Sequence, residues 1–115
     1  MAEEKMVVVD SEKIEWIDHL GVEQLPKGLW GKLLNLDEET GAMALLAKFD
    51  KGFHEPKHTH PSGNFFTVLE GKLVDEKGNE IKKGTYVFTP AGVEHGPLDA
   101  PEGCVLFAYF NGPPS

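Results

Sequence analysis

Three of the five histidines in this 115-residue chain stand where metal chemistry would place them. His58 and His60 are two apart. On an extended strand that spacing turns both imidazoles to one face, where neighbouring nitrogens can share an ion. His95 ends the stretch Pro90-Ala-Gly-Val-Glu-His95, a loop able to bring a third nitrogen from elsewhere in the fold. Neutral imidazole binds first-row divalent ions at about 2.0–2.1 Å. A His-x-His pair taken alone is more often two surface or capping residues, so the surroundings must carry the case. Glycines recur at set offsets from the candidates: Gly52 before His58, Gly71 after His60, Gly84 before Pro90, and Gly92 three before His95. Glycine supplies the positive φ that tight turns need, so these positions mark where ligand-bearing segments turn back.

Other chemistry-bearing residues read more plainly. His54 fits a solvated loop, with a place at the site entrance as the alternative, and His19 reads as structural or surface. Glu94 neighbours His95, and adjacent residues on a strand or loop point apart, so it reads as surface. Cys104 opens an alternating run and reads as a small buried hydrophobe, with a soft fourth ligand as the alternative. Phe49, Phe66, Phe88, Phe107 and Tyr109 are candidates for an apolar pocket wall or for ordinary core.

The elements that must position these residues are short and extended. Met6–Val9 and Lys13–Leu20 come first, the latter a strand or a single helical turn, and Gly21–Pro26 reads as a loop. From Gly28 the chain is a series of strand-like runs between turn signals: Leu29–Leu36, Ala42–Phe49, Phe65–Leu69, Lys72–Asp75, Glu80–Lys82, Thr85–Thr89 and Cys104–Phe110. Met43, Leu45, Ala47 and Phe49 alternate, which puts them on one face. Glu76-Lys-Gly-Asn79 is a tight hairpin signal. Eight or nine strands with no sustained 3.6-residue period after Leu20 predict an all-β barrel or sandwich.

Length and composition bound the rest. One domain fits the length, and 40% hydrophobic with 10% aromatic residues is globular rather than disordered. Thirteen glycines and eight prolines, spread through the chain, agree with many turns. A net charge of −8 disfavours phosphate backbones and anionic lipid, so neither nucleic acid nor membrane is an expected partner. One cysteine excludes an intramolecular disulfide, and no apolar run reaches the length of a span or signal h-region. The expectation is a cytoplasmic protein.

Two motifs then tie the histidines to a family. Gly52-x5-His58-x-His60-x3-Asn64-x6-Gly71 resembles the first cupin motif, and Gly84-x5-Pro90-x-Gly92-x2-His95 resembles the second. His58-Thr-His-Pro-Ser-Gly63, Val68-Leu-Glu-Gly71, Gly84-Thr-Tyr-Val87 and Glu102-Gly-Cys104 are most similar to the ChrR-type cupins. The resemblance implies a cupin jelly-roll β-barrel, a double-stranded β-helix. It would span residues 28–112 after an N-terminal segment of 1–27, with 113–115 as a tail. It also implies one divalent metal ion (Fe, Zn, Ni, Mn or Co) held inside the barrel by His58, His60 and His95. Where the family commonly has a glutamate ligand this chain has Asn64, so the site resembles the three-histidine cupins. Three neutral ligands leave the ion's charge near +2, which favours an anionic ligand. Asn64 is expected to bind weakly, orient a water or hydrogen-bond the substrate. The implied function is an oxygenase or lyase acting on a small anionic or dicarbonyl-type metabolite, with a non-catalytic metal- or metabolite-binding sensor as the alternative. No general base stands beside the ligands in sequence. A homodimer is expected, with the short strands before Leu29 covering or exchanging with a partner's sheet edge.

Overall fold

Alternation sets the two faces of the sheet. In the computed structural model, which describes residues 5–20 and 23–114, strand β4 (Met43–Phe49) buries Leu45, Ala47 and Phe49. Its Ala44, Leu46 and Lys48 are half-buried on the opposite side. The same two-residue period governs β8 (Tyr86–Thr89), β10 (Cys104–Phe110) and the first part of β6 (Asn64–Asp75), while β3 (Leu29–Leu36) breaks it at a bulge between Leu33 and Asn35. Shorter strands complete the set: β1 (His19–Leu20), β2 (Glu23–Gln24), β5 (Phe53–Glu55), β7 (Glu80–Lys82) and β9 (Leu98–Ala100). Residues 1–4, Gly21 of the expected Gly21–Pro26 loop, Val22 and Ser115 lie outside the described residues.

All pairings are antiparallel. The main sheet runs β3-β4-β10-β6-β9-β5, with β7 and β8 also paired to β6, while β1 and β2 form a separate ribbon. The sheet curls on itself into a half-barrel, the all-β architecture expected from the sequence. Leu45, Phe49, Phe66, Val68, Leu73 and Leu106 sit at the centre of a single core on its concave side.

Two runs read separately in sequence, Phe65–Leu69 and Lys72–Asp75, are one strand. β6 passes through Gly71 at φ +72°, where any Cβ would collide with the Gly103 carbonyl, and carries a bulge opposite Val105 and Leu106. The bend lets β6 pair with β8 and β10 at one end and with β7 and β9 at the other. β5 and β9, three residues each, show too little alternation to be read from sequence. Lys13–Leu20 holds neither a long strand nor a helix. A 3-10 turn at Ser11–Lys13, capped by the Asp10 carboxylate, precedes an isolated bridge from Ile17 to Gly31 and then β1. Met6–Val9 joins no strand. No helix among the described residues is long and apolar enough to cross a membrane.

Candidate metal centre

His58 and His60 are not on a regular strand; the extended spacing argument holds locally through backbone lacing. His58 and His95 form an isolated antiparallel bridge, with reciprocal N–H···O bonds of 3.0 and 2.9 Å. The Gly92 N–H donates to the His60 carbonyl at 2.8 Å. Two loops far apart in sequence are thereby clamped so that three imidazoles meet. Ring centroids stand 4.0 Å apart for His58 and His95, 4.7 Å for His58 and His60, and 5.2 Å for His60 and His95.

The hydrogen bonds around the rings fix which nitrogens are free. His58 Nδ1 donates to the Pro56 carbonyl at 2.9 Å, and His60 Nδ1 donates to the Pro114 carbonyl at 2.6 Å. A carbonyl only accepts, so each ring carries a proton on Nδ1, and in the neutral rings that metal binding requires both Nε2 atoms carry lone pairs. Those two Nε2 atoms face each other at 3.0 Å. His95 Nε2 is buried with no hydrogen-bond partner among the described residues. Burial, reinforced by His58 and His60, pulls His95 down to about 4, so it stays neutral near pH 7. Two opposed lone pairs beside a third unpartnered one repel unless a cation lies between them. One ligand nitrogen from each residue lies within 4.8 Å of the others, and nitrogens bound at about 2.1 Å to one ion stand roughly 3.0–3.4 Å apart. The donor set fits a metal ion.

Asn64, the first residue of β6, is buried between Phe110 of β10 and Thr89 of β8, and its Nδ2 also lacks a partner. It and the three histidines line one cavity of about 340 Å³, a size that admits a small metabolite. Leu45, Phe49, Phe66 and Leu106 form much of its apolar wall, and Phe110 meets His60 edge-on at 5.1 Å. Phe49 and Phe66 thus occupy the expected wall. Phe88, Phe107 and Tyr109 do not line it, because the β10 and β8 register turns these positions to the convex side of the sheet.

One functional candidate escaped the sequence. Glu55, the last residue of β5, is the only acidic residue among the described residues lining the cavity. Alternation along β5 turns Phe53 and Glu55 inward, whereas His54 is exposed and 2.6 Å from Asp99. Burial holds the Glu55 carboxyl above the ordinary carboxylate range, with His58 pulling the other way. Its only sequence signal was a place three residues before His58, within a strand too short to recognise.

The remaining candidates lie apart. His19 is exposed beside Asp18, and Glu94 is exposed with Lys57 at 3.9 Å. Cys104 is buried among core residues outside the histidine group, its thiol pushed up to about 11 by burial.

Comparison with known proteins identifies the fold and the family. Dimethylsulfoniopropionate lyase DddW of Ruegeria pomeroyi is 33% identical over 85 residues, 70% of this chain and 55% of that protein. The chain therefore spans about half the length of this relative. An acetylacetone dioxygenase from Acinetobacter johnsonii superposes with a TM-score of 0.72 at 18% identity, over 97% of this chain and 76% of that one. The anti-sigma factor ChrR of Rhodobacter sphaeroides, solved in complex with SigE, gives 0.68 at 23% identity, over 86% and 50%. At such identities these likenesses show the fold alone, which is the cupin fold. A model of the ChrR cupin-like domain matches residues 4–113, nearly the whole chain, and the chain belongs to that family.

Proposed function

We infer that this chain is a metal-dependent oxygenase or lyase acting on a small anionic or dicarbonyl-type metabolite. His58, His60 and His95 are its ligands for one divalent ion. The observation that carries this reading is the opposed pair of Nε2 lone pairs at 3.0 Å beside the unpartnered His95 Nε2. The bound ion would supply Lewis acidity or, as iron, oxygen activation. Every other contribution comes from the chain. Three neutral imidazoles cancel no metal charge, so the cavity attracts an anionic oxygen. Asn64 Nδ2, buried and unpartnered, donates a hydrogen bond to that oxygen and orients the molecule. The walls from β3, β4, β6 and β10 hold its apolar part and exclude water. Glu55 takes or returns a proton through a carboxylate oxygen, its raised pKa bringing it nearer neutral pH. Both reaction classes are supported by the relatives, a dimethylsulfoniopropionate lyase and a dioxygenase whose named substrate, acetylacetone, is a dicarbonyl.

Elemental analysis of tag-free protein, followed by oxygen uptake and product assays on a panel of β-dicarbonyl and short carboxylate compounds, tests the reading. Close to one ion per chain is expected, with its loss in His58→Ala, His60→Ala and His95→Ala. Glu55→Gln is expected to keep the ion and lose turnover. Undiminished metal content in the histidine variants overturns the site, and stoichiometric metal without turnover on any panel member moves the function to sensing.

A further inference from the structure

The cavity has two chemically distinct ends. Among the described residues of its wall, the polar side chains free to meet a ligand are Glu55, His58, Thr59, His60, Asn64 and His95. The indole N–H of Trp30 is committed to the Asp50 carboxylate at 3.2 Å. The rest of that wall is apolar, and no lysine or arginine lines it. Register measures how far the apolar part runs. Phe110, edge-on to His60, shares a rung with Asn64 and Met43. The next inward rung is Leu45, Ala108 and Phe66, and the one beyond is Gly31, Ala47, Leu106 and Val68. Two inward rungs are four residues of ~3.3 Å each, which puts the Gly31 rung about 13 Å from the histidine end. There β3 offers no side chain of its own. A Cβ on Gly31 would lie 3.4 Å from Leu20 Cδ2 and 3.8 Å from Leu25 Cδ1, so two leucines of the N-terminal ribbon take its place, and both line the cavity. Backbone bonds hold them there. Ile17 and Gly31 exchange N–H···O bonds of 3.0 and 2.9 Å, and the Leu25 N–H donates to the Asp18 carbonyl at 2.8 Å.

We propose that the site takes a substrate with an oxygenated head at the histidine end and a single aliphatic tail of about six carbons, and that Leu20 and Leu25 set the length of that tail. The proposal rests on the metal-dependent reading for the head alone. Length and volume agree on the tail. At about 1.25 Å per bond of an extended carbon chain, the span corresponds to roughly ten bonds. The head and the ~4 Å contact distance to the leucines take about four of these. An apolar cavity of about 150 Å³ holds one benzene ring, so the 340 Å³ here holds roughly 13 non-hydrogen atoms, enough for a head and six carbons. The same wall rejects polar tails. Along the inner faces of β4, β6 and β10 beyond Asn64, a hydroxyl, a phosphate or a second carboxylate meets only apolar side chains. A buried polar group left without a partner loses about tenfold or more in affinity. Sugars, phosphate esters and dicarboxylates are therefore outside the class, and the N-terminal ribbon acts as the end stop that selects within it.

Isothermal titration calorimetry of the full chain with the straight-chain alkanoates from acetate to decanoate, with and without added Zn²⁺, tests the proposal. Affinity is expected to rise about fourfold per methylene as far as octanoate and to stop rising there. Leu25→Ala is expected to carry the rise on to decanoate, and Leu25→Phe to end it at hexanoate. Leu20→Ala reads the same limit should a Leu25 variant lose its thermal transition. Suberate, which is octanoate with a second carboxylate at its far end, is expected to bind about a hundredfold more weakly than octanoate. A rise below about twofold per methylene, a limit unmoved in every folded variant, or suberate binding like octanoate overturns the proposal. The head is read separately. Withholding Zn²⁺ is expected to lower all affinities by a common factor and to leave the slope per methylene unchanged. A series with the expected slope and limit but indifferent to Zn²⁺ overturns the metal reading and leaves the tail pocket standing.

Discussion

The segment Pro113–Pro114 holds the His60 ring in place, and removing it has a calculable cost for the proposed metal site. The Pro114 carbonyl accepts from His60 Nδ1 at 2.6 Å, while the Pro113 carbonyl accepts from Ser62 Oγ at 2.7 Å. Deleting residues 113–115 leaves His60 Nδ1 without its acceptor, so the tautomer with a lone pair on Nε2 is no longer enforced and the ring is free to turn. Loss of such a supporting partner lowers metal affinity 10- to 100-fold. At about 1.4 kcal/mol per decade that is roughly 1.4–2.8 kcal/mol. Competition against a chromophoric chelator measures it, with thermal melts to show that the sheet survives. Gly41→Ala provides a second perturbation that keeps the chain length, since its new Cβ would lie 2.6 Å from Pro113 Cγ and, at φ +80°, would also strain the Gly41 turn packed against that segment. Its affinity is expected to fall in the same direction and by less. Wild-type affinity in both variants would refute the claim that the Pro114 carbonyl sets the His60 tautomer.

Acid should weaken the metal-free protein through His95. Its folded pKa of about 4 lies below the ordinary 6.5, so the unfolded chain binds the proton first, and stability present above pH 6.5 is lost as pH falls towards 4. Because the ring is only partly buried, about 1–2 kcal/mol is expected from the slope of urea midpoints, and His95→Asn should flatten that slope. Cys104, with its thiol at about 11, should resist thiol reagents at pH 8 in the folded protein and react fully in denaturant. Leu73→Ala, at a fully buried position of β6, should cost about 3 kcal/mol by chemical denaturation.

The parts of the fold legible in the sequence are those where one period runs long enough. β3, β4, β7 and β10 match their sequence-predicted runs to within a residue because alternation or a hairpin turn bounds them. β5 and β9 were missed because three residues form a strand only when a neighbouring strand supplies the partners, and that is tertiary information. Phe88, Phe107 and Tyr109 illustrate a related blindness. An aromatic residue reads as core by composition, yet register alone decides which face it takes, and a one-residue shift exchanges the faces. In this sheet both faces are apolar, so hydrophobicity could not distinguish inside from outside.

The site divides the same way. His58, His60 and His95 stood out in the sequence by spacing and flanking glycines, and Asn64 by its place in the motif that resembles the cupins; the structure brings all four to one cavity, and Gly92 donates to the His60 carbonyl. Glu55 and Pro114 were not, because each reaches the cavity from an element whose position depends on long-range pairing. Their discovery changes the chemistry. With an amide at position 64, no carboxylate stands at the motif's usual ligand position, and on the proposed function an ion held there would keep its charge for the bound molecule. The one acid among the described residues of the wall, Glu55, has its carboxyl raised above the ordinary carboxylate range by burial, with His58 pulling the other way. On the proposed function, charge neutralisation would fall to the substrate and proton transfer to Glu55, two tasks that a ligating glutamate would combine.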